Sequence, residues 1–161
     1  MDNKIATSAE AMEASVMMPT ARVVHSDPDV HTVEQEPMPE ALNKKPVDQK
    51  SPAEWAYQRL ILYIQNFEKT LNNEEEVAMG FTDTGGGLLK IEGIGYFDPD
   101  IVTFYGKDQT GTRIQLVQHV TQLNVLLRSM PKAVDAVEPN RIGFRLAEAL
   151  EEGASGKKPS T

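Results

Sequence analysis

A chain of 161 residues with 16 Lys and Arg against 24 Asp and Glu carries a net charge of −8, and it has no cysteine. The length points to one domain with tails, and the missing thiols exclude disulfides, thiolate metal sites and cysteine nucleophiles. The acidic balance argues against general polyanion binding, which needs clustered positive charge, and leaves room only for a local basic rim or groove.

No apolar run approaches the ~20 residues a membrane span needs. The start, MDNKIATSAEAMEASVMMPT, lacks the basic stretch and apolar run of a secretory signal. A cytoplasmic protein with no membrane partner is the expectation. Residues 1–50 read as a disordered acidic tail. Their apolar residues follow no period, and Pro19, Pro28, Pro37, Pro39 and Pro46 interrupt any helix. Such a segment buries too little apolar surface to offset the entropy of ordering it. A short helix over Ser8–Met17 is marginal by itself. His25 and His31 in this tail read as incidental rather than as metal ligands.

Order is expected from Ser51. Ser51-Pro52-Ala53-Glu54 has the form of a capping box, with proline at the first helical position. A helix then runs to about Leu71. Tyr57, Leu60, Ile61, Ile64, Phe67 and Leu71 recur at three- and four-residue steps and make one apolar face. Val77, Met79 and Phe81 alternate with small or polar residues, which reads as a half-buried strand. Asp83–Gly87 follows as a hairpin loop. Its glycines invite a phosphate-cradle reading, but no Lys-Ser/Thr follows and the next segment is a strand.

The second strand is Leu88–Phe97, with Gly93 and Gly95 inside it. Glycine within a strand marks a bend, a bulge or a close approach. An acidic proline turn, Asp98-Pro99-Asp100, leads to a third strand over Ile101–Tyr105. Lys107–Gly111 turns into a fourth, Arg113–Gln118. Residues 118–130 are ambiguous. Leu123, Val125 and Leu127 alternate as in a strand, while Leu123, Leu126, Leu127 and Met130 fit helical spacing. After Pro131 come a linker and a short helix over Arg141–Glu151, within 132–152. Residues 153–161 read as a disordered tail.

The fold class is therefore α+β, mainly β. An amphipathic helix packs on a strongly bent antiparallel sheet of four or five strands, or on a small barrel closed from it, and a short C-terminal helix follows. The alternative is α-β4-α, with residues 121–130 helical. Residues 51–131 form the domain.

Asp98, Asp100 and His119 are the nearest approach to a metal or acid–base set. A turn held by its own aspartates is the simpler account, and a lone histidine beside a strand reads as structural. No catalytic residue, metal or cofactor is assigned, and the protein reads as non-enzymatic.

The runs SPAEWAYQRLILYIQNFEK, AMGF, FDPDIVTFYG, LVQHVTQLNVLL and NRIGFRLA resemble an uncharacterised bacterial domain-of-unknown-function family, which implies no activity. More remotely, Gly93, Asp98, Ile101 and His119-Val120 resemble the positions that mark the Sm-like family, nearest to its bacterial Hfq RNA-chaperone branch. That resemblance covers about residues 51–131. It implies a helix on a five-stranded barrel, rings built by pairing the fourth strand of one subunit with the fifth of the next, and contact with RNA or nucleotides. The chain departs from the pattern at two places. Asp100 stands where that branch stacks an aromatic on a base, and Gln118 stands where it has a lysine.

The residues assigned to nucleotide or RNA contact are His119, Gln118, Tyr96, Tyr105 and Arg113. Those assigned to an oligomer edge are Leu116, Leu123, Val125 and Leu127. Two functions follow. One is an Sm-like homo-oligomer contacting RNA or nucleotides. The other is a protein-interaction or adaptor module with no nucleic-acid role.

Overall fold

The computed structural model describes residues 20–81 and 87–154. The helix expected over Ser8–Met17, the loop residues 82–86 and the C-terminal tail from 155 lie outside them. The elements in order are α1 (Glu40–Asn43), α2 (Pro52–Glu68), β1 (Glu75–Phe81), β2 (Leu88–Phe97), β3 (Ile101–Lys107), β4 (Arg113–His119), β5 (Val125–Pro131) and α3 (Ile142–Ala154). The strands form one antiparallel sheet in the order β4-β3-β2-β1-β5. It is strongly bent but open, not closed into a barrel.

The bend has a local cause. β2 pairs with β1 only at Leu88 and Leu89. From Lys90 to Phe97 it pairs with β3, with a register shift between Ile91 and Gly93. Such a bulge kinks its strand and increases the twist. Beside the kink the two backbones are pressed together. A Cβ on Gly106 of β3 would lie 2.0 Å from the Lys90 carbonyl oxygen, so only glycine fits there.

The concave face carries the core. Val77, Met79, Phe81, Leu89, Ile91, Ile94, Val102 and Phe104 are buried there against Ala53, Ile61 and Ile64 of α2 and Ile142 and Leu146 of α3. Phe81 and Phe104 meet edge to face, with ring centroids 4.9 Å apart. Each of the large side chains contributes roughly 1.5–3 kcal/mol by leaving water. β1 is buried from Glu76 through Phe81 rather than on alternate residues. It lies between β2 and β5, and its small Gly80 is roofed by Leu88 and Leu126.

α2 starts as expected at Ser51, whose hydroxyl accepts the Glu54 backbone N–H at 3.0 Å. The reciprocal half of the capping box is not made. Glu54 turns instead to Lys45, at 2.9 Å, and to the Tyr96 hydroxyl. The helix ends at Glu68, three residues before the expected Leu71.

The open reading of residues 118–130 is decided and two further expectations are refined. Residues 121–130 do not form an α-helix. A 3-10 turn over Val120–Gln122 leads into β5, which pairs with β1 over seven registers from Glu75↔Pro131 to Phe81↔Val125. The alternation of Leu123, Val125 and Leu127 was thus the operative period. Residues 20–50 are not a structureless tail. They form short turns and α1, and they bury Leu42 at 3% exposure and Lys50 at 7%. The Lys50 ammonium donates to the Leu42 carbonyl and lies 4.4 Å from the Trp55 ring. The linker before α3 is also tied down. Arg141 donates to the Glu75 and Asn72 carbonyls, and the Asn140 N–H donates to Glu76.

Candidate interaction surface

Strand register decides which residues share a face, because cross-strand partners point the same way. On the convex face of β2–β3–β4 four rows follow. Phe97, Ile101 and His119 form the first, and Gly95, Thr103 and Val117 the second. Gly93, Tyr105 and Gln115 form the third, and Lys90, Lys107 and Arg113 the fourth. Phe97 is 75% exposed, Val117 56% and Tyr105 42%. The Tyr105 ring lies over the two glycines, 3.5 Å from where a Gly93 Cβ would be. The result is a shallow apolar face with a basic end. That end is partly neutralised, since Lys90 pairs with Glu76 at 3.2 Å and Lys107 with Glu92 at 3.6 Å.

The register thus brings together Tyr105 and Arg113, two of the five residues assigned to nucleotide contact, and places His119 at the far end of the same face. The other two lie elsewhere. Gln118 faces the core, 7% exposed, because it is the partner of Val102. Its Oε1 has no hydrogen-bond partner. Tyr96 also turns to the concave side and packs on Tyr57 of α2, ring centroids 5.0 Å apart. A pocket shared by His119 and Gln118 is not formed, since adjacent residues of a strand point to opposite faces.

His119 is held at both ring nitrogens. Nδ1 accepts the Thr121 backbone N–H at 3.2 Å, and Nε2 lies 3.1 Å from Asp100 Oδ2. With Nδ1 as acceptor, the neutral ring carries its proton on Nε2 and donates it to Asp100. The His119 backbone N–H donates to Gln122 Oε1 at 2.9 Å. The histidine is thereby the cap of the 3-10 turn.

The Asp98–Asp100 turn has a matching structural role. Asp98 accepts the Ser51 hydroxyl. The Pro99 carbonyl accepts the Ala53 N–H at 3.0 Å, and the Asp100 carbonyl accepts the Val120 N–H at 2.8 Å. The Asp98–Pro99 peptide is cis. One turn therefore fastens both the start of α2 and the link from β4 to β5. Sequence spacing cannot show this, because the partners are distant in the chain. Among the described residues no group of three His, Asp or Glu is placed to hold a metal ion. None of the described helices is long and apolar enough to cross a membrane.

The residues assigned to the oligomer edge do lie on or beside the edge strands, but they point inward. Leu116, Leu123, Val125 and Leu127 pack against the core. The apolar residues exposed on those strands are Ile114 at 39%, Val117 at 56% and Leu126 at 57%. β4 and β5 end the sheet, so each has one side without a strand partner among the described residues. Alternation along the strands accounts for Val117 and Leu126, whereas Ile114 shares the face of Leu116 and Gln118 and is exposed near the start of β4. Which face was the inner one depended on the register with β3 and β1.

No curated protein and no solved structure matches the chain. A family model described as a family of unknown function, DUF6173, matches residues 45–145. That span runs from just before α2 to the start of α3 and takes in every strand. The chain belongs to the DUF6173 family, a family of unknown function.

Proposed function

We propose that the protein acts by binding rather than by catalysis, and that it assembles with copies of itself through the edges of β4 and β5. The observation that carries this reading is the pair of unpartnered edge strands with Ile114, Val117 and Leu126 exposed beside them. Edges of this kind are normally blunted or covered, because their free N–H and C=O groups template pairing. β5 has Arg128 and Pro131 as blunting residues and β4 has Arg113, all but Arg128 at strand ends. A β4-to-β5 contact joins two different surfaces, so it is heterologous and closes into a ring when the rotation permits. The element order supports a remote likeness to Sm-like proteins: a helix, a four-strand meander, a 3-10 turn and a fifth strand returning to the first. Light scattering on the eluting protein tests the assembly.

Contact with RNA or nucleotides is the second reading, and the row Lys90, Lys107 and Arg113 beside Tyr105 favours it. An exposed aromatic stacks on any base. The burial of Gln118 and the engagement of His119 move this reading away from the histidine and onto the convex face. Filter binding of uridine- and adenosine-rich RNA over a salt series separates the two. Phosphate contacts give a steep salt dependence, whereas an adaptor that engages protein retains no RNA at any salt.

A further inference from the structure

The outer face of β3 and β4 is the regular part of the sheet. The two strands pair over seven consecutive registers, from Ile101↔His119 to Lys107↔Arg113, without the bulge that kinks β2. Thr103 and Tyr105 of β3 and Gln115 and Val117 of β4 point outward together in its middle. Phe97 of β2 extends the face at one end and is its most exposed apolar residue, at 75%.

The two ends of this face carry opposite free charges. At one end Arg113 has no carboxylate partner among the described residues, while Lys90 and Lys107 beside it are already engaged by Glu76 and Glu92. At the other end the Asp100 side chain is 42% exposed and meets only the His119 ring. That ring is the neutral tautomer, since its Nδ1 accepts the Thr121 N–H, so Asp100 keeps its charge. The run of β4 from Arg113 to His119 separates the two charges by about 20 Å at about 3.4 Å per residue.

Such a face is complementary to itself. A second copy, turned by 180° about an axis that crosses the strands at mid-length, lays each strand on its own counterpart with the direction reversed. Every contact then occurs twice. Arg113 of each copy meets Asp100 of the other, the Val117 and Tyr105 rows meet in the middle, and Phe97 covers the Lys90 stem. Sheets stack in this way about 10 Å apart with their strands nearly aligned.

We infer that the outer face of β3 and β4 is a two-fold contact between copies of this chain, with Arg113 and Asp100 as its reciprocal charge pair. The contact is separate from the edge pairing proposed above, because it uses the side-chain face of β4 and not its backbone edge. It also covers the surface on which RNA would lie. Three strands of this length make a footprint of roughly 15 Å by 20 Å, below the about 800 Å² that a standard interface buries per partner. Each copy also carries a charge of −8. The dimer is therefore a weak one.

The test uses the full chain carrying Leu126→Lys, which blocks the β5 edge and leaves this face intact. Sedimentation velocity up to about 1 mM, the range in which a weak contact is populated, should show a reversible monomer–dimer equilibrium. Adding Arg113→Glu, or Asp100→Lys, sets like charges against each other in both contacts, and each variant alone should be monomeric. An equimolar mixture of the two should recover the dimer, because each chain supplies the charge that the other has reversed. Phe97→Asp should also abolish the dimer, and it spares Asp100, which holds the His119 ring. Circular dichroism confirms that each variant is folded. A Leu126→Lys chain that stays monomeric at every concentration overturns the inference. So does a dimer insensitive to Arg113→Glu and Phe97→Asp, or a mixture of the two folded charge variants that remains monomeric. RNA retained by a monomeric Leu126→Lys chain and lost on Phe97→Asp also overturns it, in favour of nucleic acid on this face.

Discussion

Glu68, the last residue of α2, points its carboxylate into the first turn of α3, where Oε1 accepts the Phe144 backbone N–H at 3.2 Å. A side chain of one helix thus caps another far along the chain. The contact is close, because a Cβ on Gly143 would lie 2.5 Å from that oxygen and 2.9 Å from the Gln65 backbone.

The Glu68 carboxyl titrates above its ordinary value of 4.5. Burial pushes it up, while the Gly143 and Phe144 N–H groups and the Arg141 charge pull it back. The folded protein therefore holds this proton more tightly than the unfolded chain does. The associated stability is complete below the unfolded value and is lost as pH rises through the folded one. Glu68→Gln keeps the acceptor and removes the charge. Its urea midpoint relative to the parent should rise as the pH is raised above 4.5. A difference that stays constant with pH contradicts the burial account.

Gly106→Ala should destabilise by at least the ~1–3 kcal/mol typical of overpacking, because the clash is with the Lys90 backbone, which cannot swing away. Gly80→Ala is the control. Its added Cβ meets only side chains, the nearest at 3.5 Å, and should be tolerated far better. Chemical denaturation of the two variants checks the order. Equal losses would place the bend elsewhere.

Leu42→Ala tests whether residues 20–50 belong to the folded unit. Leu42 is 3% exposed, and truncating a buried leucine costs about 2–5 kcal/mol. A shift of the denaturation midpoint of that order is expected. An unchanged midpoint would show that this segment contributes nothing to stability.

Ser51→Ala removes the acceptor for the Glu54 N–H and the donor to Asp98. The loss of an N-cap costs on the order of 1 kcal/mol. Glu54→Ala should cost less, since Glu54 does not complete the capping box and its contacts are with Lys45 and Tyr96. Thermal unfolding of both variants gives the comparison, and a larger loss for Glu54→Ala would contradict it.

The legible parts of the fold were those with local causes. The α2 apolar stripe, the serine cap, the strand breaks at Gly87, Pro99 and Gly111, and the glycine-marked bend all follow from neighbouring residues. The packed state of residues 20–50 was hidden, because Leu42 and Lys50 find their partners through tertiary contact and leave no period in the sequence. The same holds for Glu68, which reads as one more polar residue on a helix until α3 is placed against it. In the candidate site the register was the missing information. Gln118 and His119 are neighbours in sequence but sit on opposite faces, while Lys90, Lys107 and Arg113 are separated in sequence and form one row.

The most direct test of the edge-strand account is size-exclusion chromatography with light scattering on the full chain beside a Val117→Lys, Leu126→Lys variant. Both positions are exposed, so the variant should fold, and edge lysines block strand pairing. The account predicts a parent mass at least twice the chain mass, at a whole-number multiple of it, and a monomeric variant with an unchanged circular dichroism spectrum. A parent that elutes as a monomer at micromolar concentration would contradict it.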